Sequence, residues 1–337
     1  MRRVLPGALI GLIGALFAYQ VVQADPTTGL GVRLVNGTPA GTPPAGVPLT
    51  VYQIDGTQQQ IVARGQADSQ GGFDWPDLRG PISARYVVST TYQGAAYRTD
   101  PATLPAPAVT LRVYDATADD TTIRIANAGM VIVAVDAATQ QIQVLETLTL
   151  HNSGPRTFVP STTGSRGPMG LLRFGLPDGA GNLTPDGQLA AQTIIQVNTG
   201  FATDLPLPPG DTTVAYRYDL AYGALESGGY AALSKTLAYP VDRVRVLVPQ
   251  AAFTVSSPQL AAADPAAVGS RTYRLFQGAN LPAHSEVTLE LRDLPLNQPL
   301  LRTGNAGLQA LVGLLLVVAV GLPVGYRRWY QRQVAGA

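Results

Sequence analysis

The chain contains 337 residues, a length that allows about two domains of roughly 150 residues each. Charged residues make up 13% of the chain, about half the usual share, and 23 basic residues against 22 acidic ones leave a net charge of +1. This composition excludes a polybasic nucleic-acid-binding protein, and the absence of cysteine excludes disulfides, a thiol nucleophile and cysteine-ligated metal centres.

The N-terminus has the pattern of a secretory signal. Arg2 and Arg3 precede an apolar run from Val4 to Val22, and the small residue Ala24 follows shortly after it. A basic region, an apolar core and small residues before a cleavage point predict a signal peptide over residues 1–24. An uncleaved signal anchor is the alternative, because the apolar run is nearly long enough to span a bilayer.

Between the N-terminal apolar run and a second apolar run near the C-terminus, the chain contains short segments in which apolar and polar residues alternate. Gly, Pro, Asn or Asp residues separate these segments. The alternation occurs in Val109–Val113, at Ile123 and Ile125, at Val244, Val246 and Val248, and at Val287, Leu289 and Leu291. Because side chains two apart share one face of a strand, each segment is expected to bury one face and expose the other. Many short strands predict an all-β ectodomain, with a small transthyretin-like or Ig-like β-sandwich followed by a larger β-sandwich.

The first block, residues 28–115, has the size of one sandwich of about seven strands. It contains Ala45–Tyr52 (AGVPLTVY), Ala67–Trp75 (ADSQGGFDW) and the tyrosine-bearing Tyr86–Tyr97. This order resembles the carboxypeptidase regulatory-like domains, which are transthyretin-like sandwiches attached to many secreted and membrane proteins. The chain departs from the family pattern by an extra glycine in the turn before Phe73. The resemblance implies a β-sandwich and no catalytic residues.

A boundary is predicted at Ala116–Asp120, before a second block of residues 121–297. That block could form one large sandwich or two small ones, and we favour one because no second linker-like stretch interrupts it. Gln141–Asn152 is its predicted central strand, and Glu146 interrupts the apolar face of this strand. A carboxylate there needs a cationic or hydrogen-bonding partner. We expect Glu146 to form a salt bridge to an arginine. Exposure of Glu146 at a strand end is the second alternative, and a functional carboxylate is the least favoured one.

Residues 306–325 form the second hydrophobic run, and it predicts a transmembrane helix. At 1.5 Å per residue, a helix of roughly 20 residues is about 30 Å long, which matches the hydrocarbon thickness of a bilayer. A buried core helix is the alternative, but few core helices are this long and contain no charged residue. The tail, residues 326–337, begins with interleaved aromatic and arginine residues, as at a membrane interface. Arginines at both ends hold both termini in the cytoplasm. We therefore predict a single-pass plasma-membrane protein with its ectodomain outside, and the cysteine-free exported chain favours a bacterial source.

The sequence offers no strong metal, cofactor or catalytic motif. Its two histidines, His151 and His284, lack His-x-His or His-x-x-x-His spacing and are expected in surface turns. Asp68, Asp119 and Asp120 are candidate calcium ligands, but solvated turn carboxylates are favoured because the EF-hand ligand period is missing. No Gly-x-Ser-x-Gly elbow or phosphate-binding glycine loop occurs. We predict no catalytic residue, no metal and no cofactor.

Aromatic residues beside turns are the remaining candidates for binding, although core packing is the favoured interpretation for most of them. They are Trp75, Tyr92, Tyr97, Tyr222 and Tyr230. Tyr92 and Tyr97 flank Gly94 at the outer end of the first block, where we predict contact with a protein or carbohydrate partner.

The predicted function is non-catalytic binding or scaffolding at the cell envelope. An accessory subunit of a membrane-embedded enzyme or transporter complex is the alternative, and an enzyme is the least favoured class.

Overall fold

The computed structural model describes residues 29–78, 84–104, 108–161, 170–197, 199–225, 228–250, 253–269 and 271–296. Nearly all of the regular structure in these ranges is β-strand, which confirms the all-β prediction. The predicted signal peptide, transmembrane helix and tail lie outside the described residues. Within the ranges given, no helix combines the length and apolar character that crossing a membrane requires.

The described residues of the first block contain eight strands, which form two sheets around one core, and we call this unit the first domain. Their bounds are β1 Leu30–Asn36, β2 Pro48–Asp55, β3 Gln58–Gln66, β4 Gly72–Trp75, β5 Arg85–Tyr92, β6 Ala95–Arg98, β7 Ala102–Thr103 and β8 Val109–Val113. One sheet has the order β4-β1-β8, and the other has the order β3-β2-β5-β6 with β7 beside β5. Fully buried side chains such as Leu34, Val51 and Val113 fill the space that the two sheets share.

The turn before β4 shows why the Asp-Ser-Gln-Gly-Gly-Phe sequence folds as it does. The Asp68 carboxylate accepts hydrogen bonds from the backbone N–H groups of Gln70 and Gly72, both at 2.8 Å. Gly71 has φ +83°, and a Cβ there would lie 2.4 Å from the carbonyl oxygen of Leu34. Only glycine meets both demands without strain, so this position fixes how β4 enters the sheet beside β1.

The second domain contains sixteen strands and one short 3₁₀ helix in the described ranges. Their bounds are β9 Ala116–Thr117, β10 Ile123–Asp136, β11 Gln141–Asn152, β12 Thr157–Phe158, β13 Leu172–Gly175, β14 Ala180–Asp186, the helix Gly187–Ala191, β15 Ile194–Val197, β16 Gly200–Thr203, β17 Gly210–Ala221, β18 Gly223–Leu225, β19 Gly228–Thr236, β20 Val241–Pro249, β21 Thr254–Ser256, β22 Ala261–Val268, β23 Arg271–Leu281 and β24 Glu286–Leu294.

A seven-stranded sheet of order β14-β17-β11-β10-β20-β23-β22 is the base of this domain. A four-stranded sheet, β18-β19-β24-β21, and a three-stranded sheet, β13-β16-β15, contribute to the same core. One hydrophobic cluster contains buried residues of all three sheets, including Ile142 of β11, Leu289 of β24 and Phe201 of β16. The apolar positions predicted from alternation in β8, β10, β20 and β24 are buried as expected, except Val109, which is partly buried against the core of the first domain.

The predicted strand Gln141–Asn152 is β11, and it lies inside the seven-stranded sheet between β10 and β17. The expectation that each strand exposes one face is wrong for β11. Leu145 lies on the second face with 0% exposure, in a separate cluster that includes Val131, Leu247 and Tyr273. Thr147 on the same face is also buried. Both faces of this part of the sheet are therefore covered.

Candidate functional site

The junction between the domains is built on Asp115, the residue before β9. Its carboxylate oxygen Oδ1 accepts hydrogen bonds from Asn36 Nδ2 at 2.9 Å, from the Tyr92 hydroxyl at 3.0 Å and from Gln93 Nε2 at 3.2 Å. Its backbone N–H donates to Thr38 Oγ1 at 2.8 Å. This one residue of the connection therefore bonds to two separate segments of the first domain, residues 36–38 and residues 92–93.

The connection itself is a strand and not a free linker. β9 pairs in parallel with β12 of the second domain. The Ala116 backbone N–H also donates to Gln93 Oε1 at 2.7 Å. The segment predicted as a boundary is therefore bonded on both sides, which couples the two domains.

The structure places Tyr92 and Tyr97 at this junction. Tyr97 is only 8% exposed, its hydroxyl lies 2.7 Å from Thr157 Oγ1, and it donates to the carbonyl oxygen of Tyr114 at 3.2 Å. Burial raises the pKa of Tyr97 above its ordinary value. Val159 of the second domain packs against the same core. The turn between Tyr92 and Tyr97, which was expected to contact a partner, therefore lies against the second domain. Partner binding by these two tyrosines stays a prediction, and this geometry disfavours it.

Glu146 is the centre of a buried polar cluster between the seven-stranded and four-stranded sheets. The side chain is 1% exposed. Its Oε2 accepts from the Tyr216 hydroxyl at 2.8 Å, and its Oε1 accepts from the Tyr218 hydroxyl at 2.9 Å. The ammonium of Lys235 on β19 forms a salt bridge to Oε2. These three side chains together satisfy a carboxylate that has almost no access to water.

The expected arginine partner of Glu146 is therefore wrong, and the partner is the single lysine of the chain. The Lys235 side chain is 10% exposed, so the ion pair is shielded on both sides. Burial raises the pKa values of Tyr216 and Tyr218 well above their ordinary value, and the negative charge of Glu146 is the second cause of this rise. Both phenols stay protonated and keep donating to the carboxylate. This arrangement joins three strands, β11, β17 and β19, through one charge.

The other candidate polar residues have local partners. His151 Nδ1 lies 2.5 Å from Asp211 Oδ1 across the β11–β17 pair. Asp68 and Asp119 accept hydrogen bonds from backbone N–H groups of their own turns, which lowers the pKa of each carboxyl. In the described ranges, no three His, Asp or Glu side chains are grouped as a metal site would require.

A groove opens where the three-stranded sheet meets the end of β19. We call it the β15 groove, and it has a volume of about 410 Å³. Its lining is mainly apolar and includes Leu171, Phe174, Ile195, Val197, Phe201 and Ala238. Leu171, Arg173, Ala238 and His284 also line an adjoining, more polar groove of about 540 Å³. The second histidine of the sequence thus lies where the two grooves meet.

Glycine packing fixes the floor of the β15 groove. Gly175 of β13 is opposite Gly200 of β16. A Cβ at Gly175 would lie 2.1 Å from the carbonyl oxygen of Thr236, and one at Gly200 would lie 2.2 Å from that of Phe174. The small sheet therefore lies directly against β19. Phe174 stacks on Phe201 with ring centroids 5.0 Å apart, so two aromatic rings form part of the floor.

The outer wall of the groove is β15, whose exposure is unusual. Only three large apolar side chains are exposed in the part of the chain that the structure describes, namely Ile61 at 45%, Ile195 at 38% and Val197 at 58%. Two of them lie two residues apart on β15 and line the groove. Their neighbour Ile194 packs against the core. Sequence analysis missed this site, although the run Ile194-Ile195-Gln196-Val197 and the lack of charge around it could have indicated it.

No family model and no curated protein matches the sequence. Among solved structures, a two-domain M1 zinc metallopeptidase bound to L-tryptophan is similar over 50% of this chain and 43% of its own, with 13% identity and a TM-score of 0.31. An M1 zinc metallopeptidase from Deinococcus radiodurans covers 50% of this chain and 42% of its own, with 12% identity and a TM-score of 0.30. The major pilin SpaA of Corynebacterium diphtheriae covers 81% of this chain and 87% of its own, with 14% identity and a TM-score of 0.21. The chain thus spans less than half the length of the M1 peptidases that it matches.

Proposed function

We propose that the chain is a membrane-anchored, extracytoplasmic binding and scaffold protein of the cell envelope, and that it is not a catalyst. The observation that carries this proposal is the β15 groove, with Ile195 and Val197 exposed on its wall. Apolar side chains that line a groove gain free energy when a partner removes them from water, by about 25 cal/mol for each Å² buried. Exposed apolar surface that lines a groove marks contacts with proteins or membranes and ligand-binding grooves.

The polar interior supports a structural role. Glu146, the one acidic residue buried among the described side chains, accepts bonds from two tyrosines and a lysine that hold three strands together. Asp115 likewise accepts a hydrogen bond from Tyr92 of the first domain, and β9, which directly follows it, pairs with β12 of the second domain. These polar groups stabilise a rigid ectodomain, which is what presentation of a binding surface requires.

The first domain takes the role of a carboxypeptidase regulatory-like module in this proposal. Two sheets around one core, and a turn closed by Asp68 and Gly71, are consistent with the sequence resemblance. Its junction with the second domain makes it a spacer of fixed orientation. The partner surface then lies on the second domain, nearer to the predicted membrane span.

The proposal is tested by changing the groove wall in the full-length chain. Ile195→Asp with Val197→Asp places two carboxylates on the apolar wall, and Ile61→Asp makes the same change at an exposed apolar residue of the first domain. After mild detergent extraction and native electrophoresis, we expect wild type and Ile61→Asp to migrate as one complex larger than the single chain. The double variant should migrate as the single chain. A complex that survives the double substitution would contradict the proposed binding surface.

A further inference from the structure

We propose that β15 pairs antiparallel with β15 of a second copy of this chain, around a two-fold axis at Gln196. This inference rests on the proposed function, since it names the partner that the β15 groove receives. It concerns Ile194–Val197, the outer strand of the small sheet β13-β16-β15. In the described ranges, β16 is the one strand that pairs with β15, so its outer side can accept another strand.

Both edge strands of the seven-stranded sheet carry features that oppose strand addition. β22 contains Asp264 and Pro265 where its pairing register shifts, and β14 contains Pro185 and a register shift of its own. Proline, charge and bulges are the usual means by which proteins keep sheet edges from pairing with other chains. β15 has none of these features, because no charged residue or proline occurs between Asp186 and Asp204.

The sequence of β15 is complementary to itself. In an antiparallel pair centred on Gln196, Ile195 of one copy lies opposite Val197 of the other, and this contact occurs twice. Directly opposite residues share a face, with Cβ atoms about 4.5–5.5 Å apart. Ile195 and Val197 both line the groove, so the pairing brings all four exposed apolar side chains together on one face. Two of the three large exposed apolar residues of each described ectodomain are then covered.

The charge of the chain also favours a second copy over a charged partner strand. A net charge of +1 creates little repulsion between copies, and the uncharged edge offers nothing to a charged strand. One pair of four-residue strands buries less area than the roughly 1,200 Å² typical of stable free complexes. Tethering of the copies in one membrane, or in one detergent micelle, raises their effective concentration and compensates for this small area.

Disulfide trapping in membranes tests this pairing, since the native chain has no cysteine. Gln196→Cys places a thiol on the proposed axis, opposite its own copy, and Ile61→Cys is the matched exposed control. After mild oxidation of membranes that contain the full-length chain, we expect Gln196→Cys to form at least fivefold more disulfide-linked dimer than Ile61→Cys. Adding Ile195→Asp to Gln196→Cys should reduce the dimer to the control level, while the far-ultraviolet circular dichroism spectrum stays unchanged.

Equal dimer formation by the two cysteine variants, or no dimer at all, would overturn the inference. Comparing this result with that of the Ile195→Asp, Val197→Asp variant distinguishes a failure of the β15 pairing from a failure of the proposed function. If Gln196→Cys forms no dimer but the Ile195→Asp, Val197→Asp variant still loses a complex, the groove binds a different protein and only the pairing is refuted. If the complex also survives that double variant, both the inference and the proposed function fail.

Discussion

Replacing Lys235 by methionine should destabilise the second domain strongly, because it removes the cation from a carboxylate that is 1% exposed. Methionine keeps most of the side-chain volume of lysine, so the change removes charge rather than packing. Glu146 would keep its hydrogen bonds from Tyr216 and Tyr218 but would lose the ammonium. Removing one partner of a buried ion pair typically costs about 3–5 kcal/mol.

The expected change in melting temperature follows from the size of the domain. For a domain of about 150–250 residues, 1 kcal/mol shifts the melting temperature by roughly 2–4 °C, so Lys235→Met should lower it by roughly 6–20 °C. Glu146→Gln in the same chain removes the uncompensated charge and keeps a carbonyl acceptor for one tyrosine. We expect this double variant to regain at least about 2 kcal/mol, a non-additivity typical of residues in direct contact.

Thermal unfolding of the full-length chain in detergent, followed by circular dichroism, measures these differences. Glu290→Gln is the matched control, because Glu290 pairs with Arg292 at 3.1 Å on the exposed surface. An exposed pair contributes about 0–1 kcal/mol, so this variant should unfold close to wild type. If Lys235→Met unfolded within about 1 kcal/mol of wild type, or if the double variant were simply additive, the buried pair would not have the role assigned here.

Three further predictions follow from the junction, the buried tyrosines and the chain ends. Tyr97→Ala should lower the free energy of unfolding, measured by chemical denaturation, by about 3 kcal/mol or more because it leaves a buried cavity. A loss below about 1 kcal/mol would instead support a role of Tyr97 in partner contact. Burial raises the pKa of Tyr239 to about 12 and raises those of Tyr216 and Tyr218 as well. The folded state therefore holds phenol protons that the unfolded chain releases above pH 10.0, so these phenols should leave the denaturation midpoint unchanged from neutral pH to pH 10.0 and lower it as pH rises through 12. A midpoint that did not fall in this window would contradict the buried phenols. A reporter active only outside the cytoplasm should be active when fused after Asn305 and silent after Ala337, and the opposite pattern would refute the predicted topology.

Strand positions were predictable from the sequence because alternation is a local signal. Val109–Val113 and Gln141–Asn152 are strands with the predicted bounds. Burial of the second face of β11 was not predictable in this way. Leu145 is covered because Val131 and Leu247 occupy neighbouring strands of the same sheet, and that neighbourhood depends on strand order.

The partner of Glu146 shows the same limit at the level of a single side chain. The apolar positions around Glu146 indicate that it is buried and needs a partner. Nothing near Lys235 in the sequence marks it as that partner, since the two residues lie 89 positions apart and meet only when β19 packs over β11. Tyr97 is a comparable case, because its contact with Thr157 spans 60 positions and depends on how the domains meet.

The central claim is that the wall of the β15 groove contacts a partner at the cell envelope. A photoreactive amino acid placed at Val197 in the full-length chain, and irradiated in living cells, tests that contact directly. Val197 is 58% exposed, and Ile61 at 45% exposure is the matched position on the first domain. We expect a discrete cross-linked product from position 197, with the mass of two chains if β15 pairs with itself, and no such product from position 61. Absence of any product at position 197, or the same products from both positions, would contradict the claim.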